Sequence, residues 1–424
     1  MMRLKKMKAG ALQYTLFVSV LIALLVTAFI SLSFLQQKLR IKATFFQETI
    51  HNTNLGIDYS STHEIPYNET IELQFNDEIE SLTTISKKRW GLFDIITSTS
   101  QVKNETFEKM ALVGGHQDKR NALYLSDNRK PLVLVGHTEI RGNTLLPKQG
   151  PRRGNIAGNS YYGSQLIYGN IGISGSTLPQ IEVKNYVKKL TTGAFLNNNT
   201  EFFELDENLK KVNSFNKPTQ VFNSMGAIDL QFVELTGNII IKSNSRIKVH
   251  PSAKLNDIIL IAPKIEIANG VTGTIQAFAT KEIIVGKQCN LQYPSAFVLN
   301  EKVITQRQST DNQQQSTNQL SIDSSSSIKG IVCFLSENDT KNFKPQIILQ
   351  PNATIVGEVY CEKNFELSGT VKGMVYTDSF IAPQFGSVYI NHIFNGKIIE
   401  PDISEQYCGL QFNNTQNKVV KWLY

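Results

Sequence analysis

The chain has 424 residues, of which 41 % are hydrophobic, so it is longer than one ordinary domain and can bury a substantial core. Its formal net charge is +7, but no acidic residue precedes Glu48, whereas seven basic residues do: Arg3, Lys5, Lys6, Lys8, Lys38, Arg40 and Lys42. Removing these seven from the 43 Lys and Arg leaves 36 basic residues against 36 acidic ones, so the body is neutral. Because a nucleic-acid-binding domain carries its basic residues on the folded body, we expect no nucleic-acid partner.

The first element is a long apolar run. Residues 9–34 begin at Ala9, end at Phe34 and contain no charged residue. This run exceeds the roughly 20 apolar residues that a helix needs to cross a bilayer, and the apolar region of a cleaved signal peptide is shorter. We therefore predict that residues 1–35 form a cytoplasmic tip and a retained transmembrane anchor whose partner is the lipid bilayer. Basic residues on both sides favour a cytoplasmic N-terminus only slightly, and we place the bulk of the chain outside the cytoplasm, in the cell envelope.

The following segment continues the helical pattern. Apolar residues recur at nearly helical intervals through residues 36–56, and Gly56 is predicted to cap the helix end. Clean alternation then begins, for example at residues 70–75, and is typical of strands. We expect residues 36–127 to form a helical stalk and a small β-rich domain.

The N-terminus resembles that of a type IV pilin or pseudopilin. A basic leader ending in Lys8-Ala9-Gly10 precedes the apolar run that opens Ala11-Leu12-Gln13-Tyr14-Thr15. In that family a peptidase cuts after a Gly, which would be Gly10, and a Glu usually stands five residues after the cut. This chain has Thr15 at that position, which departs from the family pattern. The resemblance implies an envelope protein with protein partners, and an ordinary single-pass anchor has a similar sequence.

Glycine beside aliphatic residues recurs through residues 132–177 and indicates a repetitive β structure. Arg152 and Arg153 lie in this stretch, but the Gly-Lys-Ser/Thr ending of a phosphate-binding loop is missing, so turns are the preferred interpretation. Residues 178–225 are predicted to leave the repeat, first with helical spacing and then as a polar segment. Short aliphatic strands follow from about Gly226, and the 18-residue spacing of Ile265 and Ile283 is consistent with one rung.

A three-fold repeat near the C-terminus carries the fold prediction. Residues 327–333, 354–360 and 370–376 each run hydroxyl residue, β-branched residue, any residue, Gly, any residue, Val, then Cys or Tyr. Such self-similar units must stack to bury their apolar face, so we predict a β-helix over residues 128–400. Gly357 and Gly373 are predicted to occupy corners where a side chain would collide with the adjacent rung.

Two further segments complete the predicted architecture. Residues 303–327 are rich in Gln, Ser, Thr and Asn and are predicted to form a disordered polar loop, and residues 401–424 to form a C-terminal cap or tail over the open end of the β-helix. The predicted class is therefore mainly β: an N-terminal transmembrane helix, a small β-rich domain, and a β-helix (β-solenoid). The Gly-punctuated spacing in residues 326–390 also resembles the bactofilins, bacterial polymers built from a β-helix.

The sequence shows no catalytic, cofactor-binding or metal-binding motif. The six histidines stand alone: His51, His63, His116, His137, His250 and His392. The four cysteines have no metal spacing: Cys289, Cys333, Cys361 and Cys408. Cys333 and Cys361 fall near equivalent repeat positions and are interpreted as buried free thiols, with a disulfide as the alternative in an oxidising compartment.

Four carboxylates lie close together in the repeat region: Glu358, Glu362, Glu366 and Asp378. Glycoside hydrolysis needs two carboxylates at a defined separation, whereas charges along a solvent face discourage edge association. Tyr360 and Tyr376 are candidates for stacking on sugars or for a structural ladder. We expect a non-enzymatic, single-pass envelope protein that is pilin-like or secretion-associated, whose β-helix serves as a structural or docking module. The alternatives are a carbohydrate-active β-helix enzyme and a bactofilin-like scaffold.

Overall fold

The structure, a computed structural model, describes residues 10–75, 80–194, 201–206, 208–302, 318–338, 342–413 and 415–423. The leader residues Arg3, Lys5, Lys6 and Lys8 lie outside this part of the chain. The described residues are mainly β, with helices α1 (Gly10–Thr62) and α2 (Lys184–Thr192), so the predicted fold class is confirmed.

The chain divides into two compact units. Unit 1 comprises Met1–Ser86 and Thr97–Lys109, and unit 2 comprises Lys87–Ile96 and Met110–Tyr424. This division differs from the predicted boundary between residues 127 and 128. The reason is that three long strands cross the boundary between the units, so that each strand has one part in unit 1 and the other part in unit 2.

These strands belong to a five-stranded sheet. It contains, in spatial order, β1 (Thr70–Leu73), β2 (Ser81–Trp90), β3 (Phe93–Val102), β4 (Glu105–His116) and β31 (Gln416–Trp422). The last strand pairs antiparallel with β4, from Gln416 opposite His116 to Trp422 opposite Ala111. The predicted cap over the end of the β-helix is therefore wrong, because this strand instead satisfies the backbone groups of a sheet edge.

Helix α1 runs unbroken for 53 residues, about 80 Å at the rise of an α-helix. The prediction that Gly56 ends it is wrong, because the helix continues to Thr62. Gly56 is buried instead within unit 1, where a Cβ would overlap the hydroxyl of Ser98. Its lack of a side chain permits close packing of helix on sheet.

The remaining strands build the β-helix and its attachments. The first group comprises β5 (Leu123–Leu125), β6 (Leu132–Val135), β7 (Glu139–Arg141), β8 (Thr144–Leu146), β9 (Pro151–Arg153), β10 (Asn155–Ile156), β11 (Asn159–Ser160), β12 (Ile171–Ile173), β13 (Glu201–Phe202), β14 (Lys210–Asn213), β15 (Gln220–Ser224), β16 (Ile228–Leu230) and β17 (Glu234–Gly237). The second group comprises β18 (Ile239–Ser243), β19 (Arg246–Val249), β20 (Lys254–Ile267), β21 (Thr272–Val285), β22 (Asn290–Glu301), β23 (Gln319–Ile322), β24 (Ser327–Ser336), β25 (Ile347–Leu349), β26 (Thr354–Leu367), β27 (Thr370–Gln384), β28 (Ser387–Ile390), β29 (His392–Phe394) and β30 (Lys397–Ile399). A 3₁₀ turn, Glu400–Asp402, follows.

The rungs stack in parallel with the register that the sequence repeat predicts. Strands β24, β26 and β27 align so that Gly330, Gly357 and Gly373 lie in one column. In the same way Ile265 pairs with Ile283, which confirms the predicted rung spacing. The β-helix therefore extends the repeat pattern over many more rungs than the three similar copies.

The glycine column forms a tight corner. Gly357 and Gly373 have φ angles of 149° and 144°, which L side chains rarely adopt. A Cβ on Gly357 would overlap the carbonyl oxygen of Gly330, and one on Gly373 would overlap that of Gly357. The predicted collision with the adjacent rung is confirmed, and the atom that a Cβ would overlap is a carbonyl oxygen of the preceding rung.

Two apolar clusters stabilise the β-helix. Alternating side chains such as Val359 and Cys361 point inward and join a continuous interior core, whereas Tyr360 between them points outward. The outward side chains of this face form a second cluster, which α2, the 403–412 segment and residues 90–95 and 110–112 cover. We call this the covered face.

The order of rungs in space differs from the order in sequence. Strand β27 pairs with β5, and β30 pairs with β7, so the rungs that follow Ile399 are built from residues 123–173. Strands β8 and β12 complete this end. The chain then passes along the covered face through α2 before the other end begins at β13.

Two predicted irregular segments contain regular strands. Helical spacing in residues 178–190 is confirmed in part by α2, but β13, β14 and β15 are rung strands that pair with β15, β17 and β18, so the excursion over residues 178–225 is wrong there. Within the predicted loop of residues 303–327, residues 303–317 lie outside the described part, and Gln319–Ile322 is a strand paired with β21. Phe202 and Val212 in these strands are exposed, whereas Asn213 is buried, so the usual alternation of buried apolar and exposed polar residues is broken and the pattern was missed.

Candidate functional site

The N-terminal part of α1 is a candidate membrane anchor. An 18-residue window of it has a mean hydropathy of 2.6, and none of that window is buried. Phe29 and Phe34 are 69 % and 68 % exposed. Each exposed apolar side chain of this size costs about 2 kcal/mol when it remains in water, which makes this part of α1 a candidate for contact with a membrane. Among the described residues, α1 is the helix whose length and composition meet the requirement for a span.

The C-terminal part of α1 belongs to the folded core of unit 1. Its buried residues recur on one face: Thr49, Asn52, Thr53, Gly56, Ile57 and Ser60. The Thr53 hydroxyl donates a hydrogen bond to the Phe107 carbonyl at 3.2 Å, and the Phe46 ring meets the Phe107 ring edge-on at 5.9 Å. The candidate anchor and the packed segment are therefore one continuous helix.

Glu358 is buried on the covered face. Its side chain is 1 % exposed, and its Oε2 accepts a hydrogen bond from the Leu410 backbone N–H at 2.6 Å. Burial raises the pKa of Glu358 to about 8, although the Leu410 N–H and the Arg120 charge act in the opposite direction. The 403–412 segment covers this carboxyl, so it is not part of an open groove.

The other three carboxylates have different surroundings. Glu362 accepts hydrogen bonds from Lys184 Nζ at 2.7 and 2.8 Å and from the Ser336 N–H at 2.7 Å. It lines a cleft of about 450 Å³ together with Asp378. Glu366 is half-buried at a different face, where burial raises its pKa to about 6. The structure thus brings Glu362 and Asp378 together and separates Glu358 and Glu366 from them.

The two repeat tyrosines form part of the packed covered face. Tyr360 and Tyr376 are 2 % and 4 % exposed, and their ring centroids are 6.4 Å apart. Phe412 packs over both, at 6.3 Å from Tyr360 and 4.9 Å from Tyr376. Of the two interpretations, the structural ladder is confirmed, because neither ring has a free face for a sugar.

All four cysteines are buried free thiols. Phe334 pairs with Cys361 across adjacent rungs, and Cys333 pairs with Tyr360. Cys361 therefore points into the interior core, whereas Cys333 points to the covered face, and the two sulfurs lie on opposite sides of the sheet. The free-thiol interpretation is confirmed. Among the described residues, no three His, Cys, Asp or Glu side chains converge as metal ligands.

An open polar groove of about 1340 Å³ lies where the chain enters and leaves the β-helix. Its charged lining residues carry both signs: Asp118, Lys119, Arg120, Glu400, Glu405 and Lys418. Arg120 donates hydrogen bonds to the Ser404 and Glu405 carbonyls and ties the groove wall to the chain's exit segment. Mixed charge and wide opening suit a protein surface better than a small anion.

Sequence reasoning missed this groove because five distant segments contribute to it. Residues 116–121 meet residues 143–145, 170–172, 400–406 and 418–419. Each segment alone has the composition of an ordinary polar turn, so no local signal marks it. Only the non-sequential order of the rungs brings residues 143–145 and 400–406 to the same place.

Comparison with known proteins gives little further information. No protein family model matches the sequence, and no curated protein matches it. A structural comparison finds the crystal structure of the competence-associated pilin ComZ from Thermus thermophilus, with 10 % sequence identity over 85 % of this chain and 89 % of that chain. The TM-score of this match is 0.19, so it carries no argument about the fold or the role of this chain.

Proposed function

We propose that this chain is a single-pass, membrane-anchored envelope protein of the pilin-like type, whose β-helix is a non-enzymatic docking module outside the cytoplasm. The observation that carries the proposal is the exposed apolar half of α1, which continues without a break into the packed half of the same helix. A helix of this kind holds the folded domain at the membrane surface. The basic leader before Gly10, and the apolar run after it, support the pilin-like form of the anchor.

The docking role is supported by the groove at residues 116–121 and 400–406. The groove is wide and its lining residues carry charges of both signs. Arg120 stabilises its wall by donating a hydrogen bond to the backbone carbonyl of Ser404. The buried state of Glu358 and the ion pair between Glu362 and Lys184 give these carboxylates structural roles. These contacts of Glu358 and Glu362 support the non-enzymatic proposal, and the cleft that Glu362 shares with Asp378 is the place where a hydrolase activity would be tested.

A protease-accessibility experiment tests the location. Protease added to spheroplasts that express the full chain should digest unit 2, whereas a cytoplasmic marker should remain intact. Leu24→Arg with Leu25→Arg, in the apolar run, should release the chain from the membrane fraction, because charges at the centre of a span are costly. The matched control is Leu39→Arg, outside the run, which should leave the chain in the membrane. A body protected until lysis would reverse the orientation, and a soluble wild type would refute the anchor.

A hydrolysis assay tests the absence of enzymatic activity. The full chain in detergent is incubated with cellulose, chitin and polygalacturonate, and reducing ends are measured. We expect no release. Release that disappears in Glu362→Gln and Asp378→Asn, but persists in Glu266→Gln, would establish a carbohydrate-active enzyme instead. Glu266 is the matched control because it is also ion-paired, with Lys248 at 2.7 Å.

A further inference from the structure

A third cavity lies at the end of the β-helix formed by residues 123–173. It has a volume of about 280 Å³ and lies apart from the groove described above. Its lining combines aromatic, charged and hydroxyl side chains: His137, Thr138, Glu139, Tyr161, Tyr162, Tyr168 and Lys397, together with Gly163. Aromatic rings beside hydroxyl and charged groups are the combination that a polar ring-shaped ligand needs.

Two tyrosines offer open ring surfaces to this cavity. Tyr162 is 62 % exposed, and its ring stacks on the His137 ring at 4.8 Å with an interplanar angle of 22°. His137 therefore supports one side of the Tyr162 ring. Tyr168 is 38 % exposed, and the Arg141 guanidinium lies 5.6 Å from its ring centroid. Both rings are supported by neighbours, so they are pre-organised for stacking.

Hydrogen bonds and ring contacts stabilise the loop of residues 161–168, which carries these two rings. Tyr161 is 7 % exposed, and its hydroxyl donates a hydrogen bond to the Gln165 carbonyl. The Arg153 guanidinium lies 5.9 Å from the Tyr161 ring and donates to the Ser164 carbonyl at 3.2 Å. The Ser164 and Tyr168 hydroxyls are 3.1 Å apart. These contacts thus hold in place the loop that carries Tyr162.

The polar groups of the cavity include one acceptor and one cation. Glu139 Oε1 accepts a hydrogen bond from Arg141 Nε at 2.5 Å and keeps acceptor capacity for a ligand. Lys397 Nζ makes no hydrogen bond or ion pair within the described part of the chain, although it lines the same cavity. The Tyr162 hydroxyl likewise has no partner there. A ligand could satisfy all three groups.

The surrounding segment is basic although the body of the chain is neutral. Residues 127–182 contain six Lys and Arg residues against three carboxylates, Asp127, Glu139 and Glu182; the basic residues are Arg129, Lys130, Arg141, Lys148, Arg152 and Arg153. A local excess of positive charge raises the concentration of anionic ligands near this end. The net charge of the body is zero and therefore does not show that this end of the β-helix carries an excess of positive charge.

We infer that this cavity is a binding site for an acidic saccharide, such as a uronic-acid unit of a polysaccharide. The flat C–H face of a pyranose ring lies on the exposed side of Tyr162 or Tyr168. Lys397 pairs with the sugar carboxylate, and Glu139 accepts hydrogen bonds from ring hydroxyls. The site binds the saccharide without cleaving it, since Glu139 is the one carboxylate among the described residues that line the cavity and hydrolysis needs two.

The geometry favours a saccharide over single-stranded nucleic acid. Nucleic-acid platforms use successive exposed rings along a basic track, whereas the exposed rings here meet in one cavity of limited volume. Lys397 is the one cation among the described lining residues, which matches a single sugar carboxylate better than the repeated phosphates of a nucleic-acid chain, and Glu139 can accept hydrogen bonds from sugar hydroxyls. His137 covers one face of Tyr162, which leaves one face for stacking and suits one-sided contact with a sugar ring.

Titration calorimetry on the full chain in detergent tests this inference. The probes are an oligogalacturonate, a cello-oligosaccharide of equal length and an oligothymidylate of equal charge. We expect the oligogalacturonate to bind most tightly to wild type. Tyr162→Ala should weaken its binding at least tenfold, and Tyr162→Phe should retain most of it, because stacking needs only the ring. Lys397→Met should remove the preference for the acidic over the neutral saccharide.

Matched controls separate the site from general effects. Phe232→Ala removes an aromatic ring that is 65 % exposed on another rung, and Lys148→Met removes an exposed cation of the same basic segment, and both should bind like wild type. Circular dichroism melting confirms that each variant folds. Equal binding by Tyr162→Ala and wild type, tighter binding of oligothymidylate, or no binding of the oligogalacturonate would overturn the inference.

Discussion

Replacing Glu358 with Gln tests whether the 403–412 segment buries an ionisable group in the folded protein. Glu358 lies beneath this segment and accepts the Leu410 N–H at 2.6 Å. Gln has the same shape and keeps an acceptor oxygen for Leu410, but it carries no charge at any pH. The substitution therefore isolates the cost of ionising the carboxyl in its buried position.

The expected magnitude follows from the pKa of this group. The pKa of Glu358 rises from 4.5 to about 8 because burial penalises the charged form. A difference of about 3.5 pH units corresponds to about 5 kcal/mol at 1.36 kcal/mol per unit. The folded state holds the proton more tightly than the unfolded state, so stability from this group is present below pH 4.5 and declines as the pH rises through 8.

The assay is denaturant unfolding of the full chain in detergent, followed by the fluorescence of the buried Trp90. At pH 4.5 the free energies of unfolding of wild type and Glu358→Gln should be similar. At pH 8.5 the Gln variant should be more stable by several kcal/mol, approaching 5 kcal/mol. A variant less stable than wild type at pH 8.5, or a difference independent of pH, would refute the burial argument. Glu266→Gln, at a half-exposed ion pair, serves as the control.

Three further predictions concern the β-helix. Gly357→Val and Gly373→Val should each lower the free energy of unfolding by about 3–5 kcal/mol, because a side chain meets both a positive φ and the carbonyl of the preceding rung. Cys333 and Cys361 should stay reduced under mild oxidation of the native chain, as non-reducing mass analysis of a digest would show, because they face opposite sides of the sheet. Gln276→Ala should cost about 2–4 kcal/mol, because Gln276 accepts the Leu92 N–H at 2.9 Å and donates to the Trp90 carbonyl at 3.3 Å.

Each of these predictions has its own control. Gly226→Val places the same side chain in open space at a normal φ, so it should be nearly neutral, and equal stability of all three valine variants would contradict the corner model. A disulfide between the two cysteines in the native state would contradict the register. For the glutamine, Gln149→Ala changes an exposed amide and should have little effect, and an equal loss in both variants would argue against the buried bonds.

Local repetition made the β-helix predictable. The Gly330, Gly357 and Gly373 column and the Ile265–Ile283 pair follow from spacing alone, because each rung must place the same residue type at the same corner or core position. The candidate membrane span before residue 35 was also predictable from the sequence, since a span is one long uncharged apolar stretch. Residues in β13 to β15 escaped detection because they have few aliphatic residues and because the exposed Phe202 and Val212 and the buried Asn213 break the expected alternation.

The sequence by itself determined the repeating rung, the glycine corner and the candidate anchor, because these depend on residues close together in the chain. The tertiary structure decided which rung follows Ile399, since parallel pairing of β30 with β7 depends on backbone hydrogen bonds that any extended segment can offer. That pairing joins Lys397 to Tyr162 in one cavity. Separately, the packing of the 403–412 segment on the covered face buries Glu358, which is 52 residues from Leu410 in sequence. Both arrangements arise from long-range contacts, which leave no periodic signal in the sequence.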